Sequence, residues 1–282
     1  MTDHRRTDGA SLFAVGAVAG AALALIVTLV VVVRSGSGGS ERAGDGDGDR
    51  DTQVVDLDDG AVADPDVDPI ALMQRSAQAM SEVESVEFQL DRTGAPVFID
   101  QFDEIALDGL RGQFTVPTRA QAQLSVTVGG DLPTRIAAVA IDSEVWISNP
   151  VTGDFETLPA GYDIDPSRFF DPENGWRPLL ATLQDVALVG IDDRGGDRYH
   201  VRGTAPAAQV TDITVGLVRG QDVAVDFWIH PSTFLVTAAE FETVIDDEPS
   251  QWSLQLGRYG DTFLIEPPEN VRPAEAPAST GP

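Results

Sequence analysis

A period of two constrains this chain more than any other feature. In SVEFQLD, Val86, Phe88 and Leu90 alternate with Glu87, Gln89 and Asp91. QAQLSVTV sets Ala122, Leu124, Val126 and Val128 against Gln121, Gln123, Ser125 and Thr127, and WSLQL repeats the pattern with Trp252, Leu254 and Leu256. Successive side chains of a strand point to opposite faces, so each segment predicts a strand with one apolar and one wet face. RIAAVAID and EVWIS follow as hairpin strands separated by Asp142–Ser143. DVALVGIDDRGGDRYHVRGTA predicts a hairpin turning at Gly195–Gly196, and DVAVDFWIHPSTFLVTAAEFETV one turning near Pro231–Ser232. Roughly ten strands of about six residues follow, in an antiparallel sheet with a single apolar face.

Few helices are available to cover that face. DPIALMQRSAQAMSEVES predicts a helix capped by Asp68 with Pro69 in its first turn, and Ile70, Met73, Ala77 and Met80 recur at helical spacing. DIDPSRFFDPENGWRPLLATLQD predicts a short apolar helix pair with starts at Asp165–Pro166 and Asp171–Pro172, and PAAQVTDITVGL a further short helix. Three short helices cannot seal a face of that size. Either the sheet curls onto its own side chains or a cavity remains.

Ahead of this region, Ser11 to Val33 carries 23 residues without a charge. At about 1.5 Å per helical residue that is roughly 34 Å, enough to cross a ~30 Å hydrocarbon core and long for a cleaved signal peptide. The expectation is a retained transmembrane anchor at 11–33. Residues 1–10 then form a cytoplasmic tail, and the C-terminal domain lies extracytoplasmic on the cell membrane. Residues 34–68 are rich in glycine and aspartate and predict a disordered acidic linker. Asp45, Asp47 and Asp49 have calcium-loop spacing, but Arg50 replaces the turn glycine and Asp56 the closing glutamate, which favours a plain linker. Residues 69–268 form the folded domain and 269–282 a proline-rich, disordered tail.

Composition narrows the function. The chain holds 18 arginines, no lysine and 46 acidic residues, for a net charge of −28, which argues against nucleic acid as a partner. The absence of cysteine excludes disulfides, thiolate metal sites, cysteine nucleophiles and a lipidated N-terminus. His200 and His230 fall on predicted strands, and without a carboxylate cluster they read as outward-facing residues rather than a metal site. The acidic pairs Asp192–Asp193 and Asp246–Asp247 fall in predicted turns, and no nucleophile elbow or phosphate loop is present. Neither catalysis nor a cofactor is expected. Met73, Met80, Phe88, Phe169, Phe170, Trp176 and Phe227 are suited either to a filled core or to a pocket for acyl chains, and composition alone favours the core.

The order of elements tips that balance. The helix IALMQRSAQAMSEVESVEFQL, the strand VAIDSEVWIS, the segment FFDPENGWRPLLATLQDV, the pair YHVRGTA and VAVDFWIH, and the closing SLQLGRYGD resemble the mycobacterial LppX/LprA/LprF/LprG lipoprotein family. The resemblance runs from about Pro69 to Pro268. Its most specific piece is the D-P-x-x-G-x-x-x-L-L run at Asp171–Leu180, after a hairpin holding Trp146 and Phe155. It implies an α+β fold: a curved antiparallel half-barrel sheet with short helices on its concave face, similar also to the carriers LolA and LolB. It further implies a hydrophobic cavity for a lipid or glycolipid ligand, held for transfer or presentation in the cell envelope, and admits a lipid transporter as partner. Strand parity and helix faces then give the cavity as Met73, Met80, Phe88, Leu90, Leu124, Val126, Trp146, Phe169, Phe170, Leu179, Leu180, Leu183 and Phe227. The family's lipobox cysteine is missing here, and the linker, averaging roughly 30–35 Å as a flexible coil, would keep the domain captive near its membrane. The alternative is a membrane-tethered scaffold or envelope-stress receptor that binds protein partners.

Overall fold

The computed structural model describes residues 55–99, 103–142, 144–149, 152–157, 175–213 and 218–272. The expected anchor at 11–33, most of the linker, Phe169 and Phe170 lie outside them. No helix among the described residues is long and apolar enough to cross a membrane.

The chain enters through helix α1 (Pro69–Ser81) and then lays down β1 (Ser85–Gly94), β2 (Ile105–Thr115), β3 (Arg119–Val128), β4 (Leu132–Ile141), β5 (Glu144–Ser148) and β6 (Phe155–Thr157). Helix α2 (Trp176–Ala181) precedes β7 (Gln184–Asp193) and β8 (Asp197–Ala205). Helix α3 (Ala207–Ile213) leads to β9 (Val223–Ile229), β10 (Val236–Ile245), β11 (Glu248–Gly257) and β12 (Val271–Arg272). The strands make one sheet in the order β12-β6-β5-β4-β3-β2-β1-β11-β10-β9-β8-β7. All neighbours are antiparallel except β12 and β6. The meander β1–β6 builds one half. The chain then reappears at the far edge as β7 and returns through β8–β11 to pair β11 with the free side of β1. Open sheets this wide curl, and this one keeps its helices on one face, here the inner face.

Register makes that face apolar. Ile136, Leu124, Leu110, Leu90, Leu254, Ala239, Phe227, Val201 and Leu188 are successive cross-strand partners from β4 to β7. Because the side-chain period is two, a slip of one residue in any strand would turn its apolar set outward, so this row fixes the pairing. Two inner clusters result. One joins Leu72, Met73, Ala77 and Met80 of α1 and Leu179 and Leu180 of α2 to Val86, Val201 and Phe227 of the sheet. The other gathers Leu107, Leu124, Val126, Ile136, Ile147 and Trp252 beneath Val97 and Ile99.

Helix α1 forms as its sequence predicts. The Asp68 carboxylate accepts hydrogen bonds from the Ile70 and Ala71 amides at 2.8 and 3.3 Å, Pro69 needs no amide partner, and the inward stripe holds Met73, Ala77 and Met80 as expected, with Leu72 in it and Ile70 exposed. Helix α2 is shorter than expected. It starts at Trp176 after Gly175, which offers no capping side chain, and the two predicted starts at Asp165 and Asp171 lie outside the described residues.

Both ends of the domain are more ordered than composition predicts. Residues 55–67, expected as part of a disordered linker, lie as a strap against the sheet. The Val55 amide donates to the Tyr259 carbonyl at 3.0 Å, and Ala63 is buried. The final residues form a belt instead of fraying at once. It leaves β11 at Tyr259, seats Phe263 and Ile265 on the outer face against Val139, Ile141 and Trp146, and ends as β12 beside β6. A few buried apolar side chains suffice to hold such segments, since full burial of an isoleucine contributes about 1.5–3 kcal/mol.

Two substitutions test this packing. Ile265 is 1% exposed, so Ile265→Ala should destabilise the domain by about 2–4 kcal/mol, read as a lower urea midpoint. A Cβ on Gly112 would meet the Phe88 ring at 2.5 Å and the Gln121 carbonyl oxygen at 2.5 Å, so Gly112→Ala should cost about 1–3 kcal/mol although glycine is unfavourable in strands.

Candidate functional site

The inner face is not uniformly filled. Phe88 and Leu90 on β1, Leu110 on β2, Ala120 and Ala122 on β3, Phe241 on β10 and Leu254 on β11 are all half-buried, although the apolar residues on either side of them are fully buried. They pack against the edges of the two clusters, and Phe241 and Ala120 touch both. The middle of the sheet therefore carries an accessible apolar strip. The floor beside it is cut low: Gly112, Ala122 and Ala138 are cross-strand partners in consecutive strands, and the Phe88 ring lies over Gly112.

One end of the trough is walled. At the β1–β2 hairpin end, the segment from Ala95 to Ile99 folds back and pairs with β2, the Leu107 amide donating to Val97 and the Ile99 amide to Ile105, each at 2.9 Å. Arg92, 6% exposed at its side chain, secures this wall. Its guanidinium donates to the carbonyls of Leu107, Gly94 and Ala95 and to Asp108, so a buried charge has partners for most of its donors. At the opposite end of the sheet, residues 55–67 lie against the helix-covered cluster. Within the helix-covered cluster, the Met80 thioether lies 3.7 Å from the Tyr259 hydroxyl, which also donates to the Val236 carbonyl. Burial pushes the Tyr259 phenol well above the ordinary tyrosine range, so it stays neutral.

The expected cavity residues divide by depth. Phe88, Leu90 and Leu183 are half-buried, whereas Met73, Met80, Leu124, Val126, Leu179, Leu180 and Phe227 are buried members of the two clusters and pack as core. Trp146 faces the other way. It pairs with Val139 and packs with Ile265 and Phe155 on the outer face, because Val145 and Ile147, its neighbours in β5, take the inner face. Apolar residues on both faces of β5 hide its parity in the sequence. Leu110, Phe241 and Leu254 were not singled out, although each lies in an alternating segment; what marks them is partial exposure, which no sequence pattern reports.

The histidines also separate. His200 lies on the outer face of β8, stacked on Trp228 with ring centroids 4.6 Å apart. Its Nε2 is 2.7 Å from Asp226, which also takes two hydrogen bonds from Arg202 at 3.0 and 2.9 Å. Partial burial pushes the Asp226 carboxyl up, but the hydrogen bonds from Arg202 and His200 outweigh it and hold the group below the ordinary range. Asp192, expected in a turn, ends β7 and accepts from the Trp228 indole at 2.9 Å. His230, expected to face outward, is instead 1% exposed beneath the strap. No group of three metal-ligating side chains occurs among the described residues.

Comparison with known proteins agrees with this architecture. The chain matches the LppX_LprAFG lipoprotein family model over residues 68–263. The crystal structure of LprF from Mycobacterium bovis is similar at 17% identity, covering 72% of this chain and 98% of that one, with a TM-score of 0.58. The Mycobacterium tuberculosis lipoprotein LppX is similar at 15% identity, with 70% and 97% coverage and a TM-score of 0.50. No curated protein sequence matches the chain. With the family model spanning β1–β11, their covering helices and the first part of the belt, the chain belongs to the LppX_LprAFG lipoprotein family.

Proposed function

We propose that this domain is an extracytoplasmic lipid- or glycolipid-binding protein, anchored in the cell membrane by residues 11–33, which holds acyl chains in its trough for transfer or presentation in the envelope. The observation that carries the reading is the accessible apolar strip of Phe88, Leu90, Leu110, Phe241 and Leu254 between two filled clusters. Apolar surface recessed in a walled trough suits a chain of methylenes, each contributing about 0.8 kcal/mol when buried. Ala120 and Ala122 leave depth beside the strip. Membership of a lipoprotein family that includes LprF and LppX supports the same reading. The described residues of the strip are apolar, which supports binding as its role.

Native mass spectrometry of the full chain, purified from its own host and transferred from nanodiscs, tests this directly. A bound lipid of defined mass in stoichiometric amount is the expected result. A clean unliganded mass, with no uptake of added host lipids, would favour the protein-binding scaffold instead. Leu90→Glu places an unpaired carboxylate at the centre of the strip on a partly exposed residue. It should leave the fold intact by circular dichroism and weaken lipid retention at least about thirtyfold, the equivalent of roughly 2 kcal/mol for desolvating the charge.

A further inference from the structure

Between the wall and the helix-covered cluster, the accessible strip is a lane one side chain wide on most of its strands. On β11 Leu254 is partly exposed while Trp252 and Leu256, its same-face neighbours, are buried. The same holds on β10 for Phe241 between Ala239 and Thr243, and on β2 for Leu110 between Leu107 and Gly112. These open positions connect. Leu254, Leu90 and Leu110 are successive cross-strand partners, Phe241 lies diagonally from Leu254 at one end, and Ala122 diagonally from Leu110 at the other. On β9 Val225 and Phe227 are buried, and so are Ile136, Ala138 and Ala140 on β4, so the lane ends at β10 and β3. With neighbouring strands about 4.8 Å apart, its length from β10 to β3 is about 19 Å. Same-face neighbours along a strand stand about 7 Å apart, and apolar carbons pack at about 3.5–4.0 Å. A lane of one position therefore seats one polymethylene chain between its flanks, running across the strands, with no place for a second alongside.

Strand β1 is wider. Both Phe88 and Leu90 are partly exposed there, between Val86 under the helices and Arg92 in the wall. Alongside the leucine row, Phe88, Gly112 and Ala122 are cross-strand partners on β1, β2 and β3. With a glycine at its middle and an alanine at its end, this row has the low floor of a second lane, parallel to the first. Phe88 closes it. Its ring reaches from β1 across to β2, where Cζ and Cε2 lie 2.5 and 2.8 Å from the point that a Cβ on Gly112 would occupy. Glycine provides this seat, since any side chain at that position would push the ring off it. The ring takes up the notch above Gly112 and leaves its exposed part as the side of the leucine lane.

We infer that Phe88 is the selectivity residue of the trough: seated on Gly112, it confines the crossing from β1 to β3 to a single acyl chain. The inference rests on the lipid-binding reading and narrows it. The ligand class that fits is a single-chain lipid, or a larger lipid that inserts one of its chains and keeps the rest outside the lane. Without the ring, the positions of Phe88 and Leu90 on β1, Gly112 and Leu110 on β2, and Ala122 on β3 join into one floor two positions wide, which suits two chains side by side.

Photocrosslinking on the full chain in nanodiscs tests this. The discs carry trace amounts of lysophosphatidylcholine or of diacyl phosphatidylcholine, each with a diazirine at the end of one acyl chain of equal length. Adducts on the peptides that hold Leu90, Leu254 and Ala122 are quantified by mass spectrometry. A single-chain lipid leaves a bilayer more readily than a two-chain one, so the ratio of the two yields is compared between proteins. In Phe88→Ala the diacyl-to-monoacyl ratio should rise at least about tenfold over the native chain, the scale on which an apolar pocket discriminates a change of a methylene or more. Should Phe88→Ala lose its circular dichroism, Phe88→Leu, which drops the ring but keeps apolar bulk on β1, should raise the ratio in the same direction. A purely structural role for Phe88 would change both yields together. An unchanged ratio, or equal changes in both yields, would overturn the selectivity role while lipid binding stood. Adducts of neither lipid on these peptides in the native chain would overturn lipid binding itself, and the inference with it.

Discussion

The structure depends on the pairing of β1 with β11. It joins the meander β1–β6 to the returning set β7–β11 and makes one sheet of two halves that would otherwise each end in a bare edge. Leu90 and Leu254 face each other across this seam and link the apolar residues of both halves into a single row. The alternation on both strands fixes the seam's register. On the water-facing side Glu87 accepts from Arg258, just beyond β11, while Gln89 and Glu87 also tie β1 to β2 by accepting from Arg111 and Gln113.

Such a sheet has more apolar face than its helices cover. The shortfall is met unequally along the row. Helices α1 and α2 seal the β7–β10 side, Val97 and Ile99 fold over the β2–β5 side, and the seam between them keeps half-buried leucines and phenylalanines. The accessible apolar surface of this fold thus arises from incomplete covering. The polar residues that do enter the interior are structural: Arg92 secures one end wall, Arg198 and His230 hold the strap, and Tyr259 remains a neutral hydrogen-bond donor.

The same logic explains the two segments that composition misjudges. Residues 55–67 are acidic and glycine-containing, and alone they could not bury enough surface to order themselves. They are held because Arg198 and Tyr199, far along the chain on β8, present a donor and an acceptor to their backbone. The belt beyond Tyr259 likewise finds an apolar strip formed by Val139, Ile141 and Trp146 on a face that alternation alone would assign to water.

Local periodicity in the sequence determined most of the strands, the α1 helix with its Asp68 cap, the hairpin turns and the apolar identity of one face, because each is set by side chains a few residues apart; it did not reveal β2, whose alternation is broken between Leu107 and Gly109, or the short β6 and β12. The family resemblance likewise lay in the order of those elements. Only the tertiary structure decided which apolar residues are core and which stay accessible. That distinction separates Leu124 from Leu90, or Phe227 from Phe241, and it depends on what packs above each residue, not on the strand that carries it. Trp146 went to the outer face and His230 to the interior for the same reason: their surroundings come from segments more than a hundred residues away in the chain, the belt at Ile265 and the strap at Leu57.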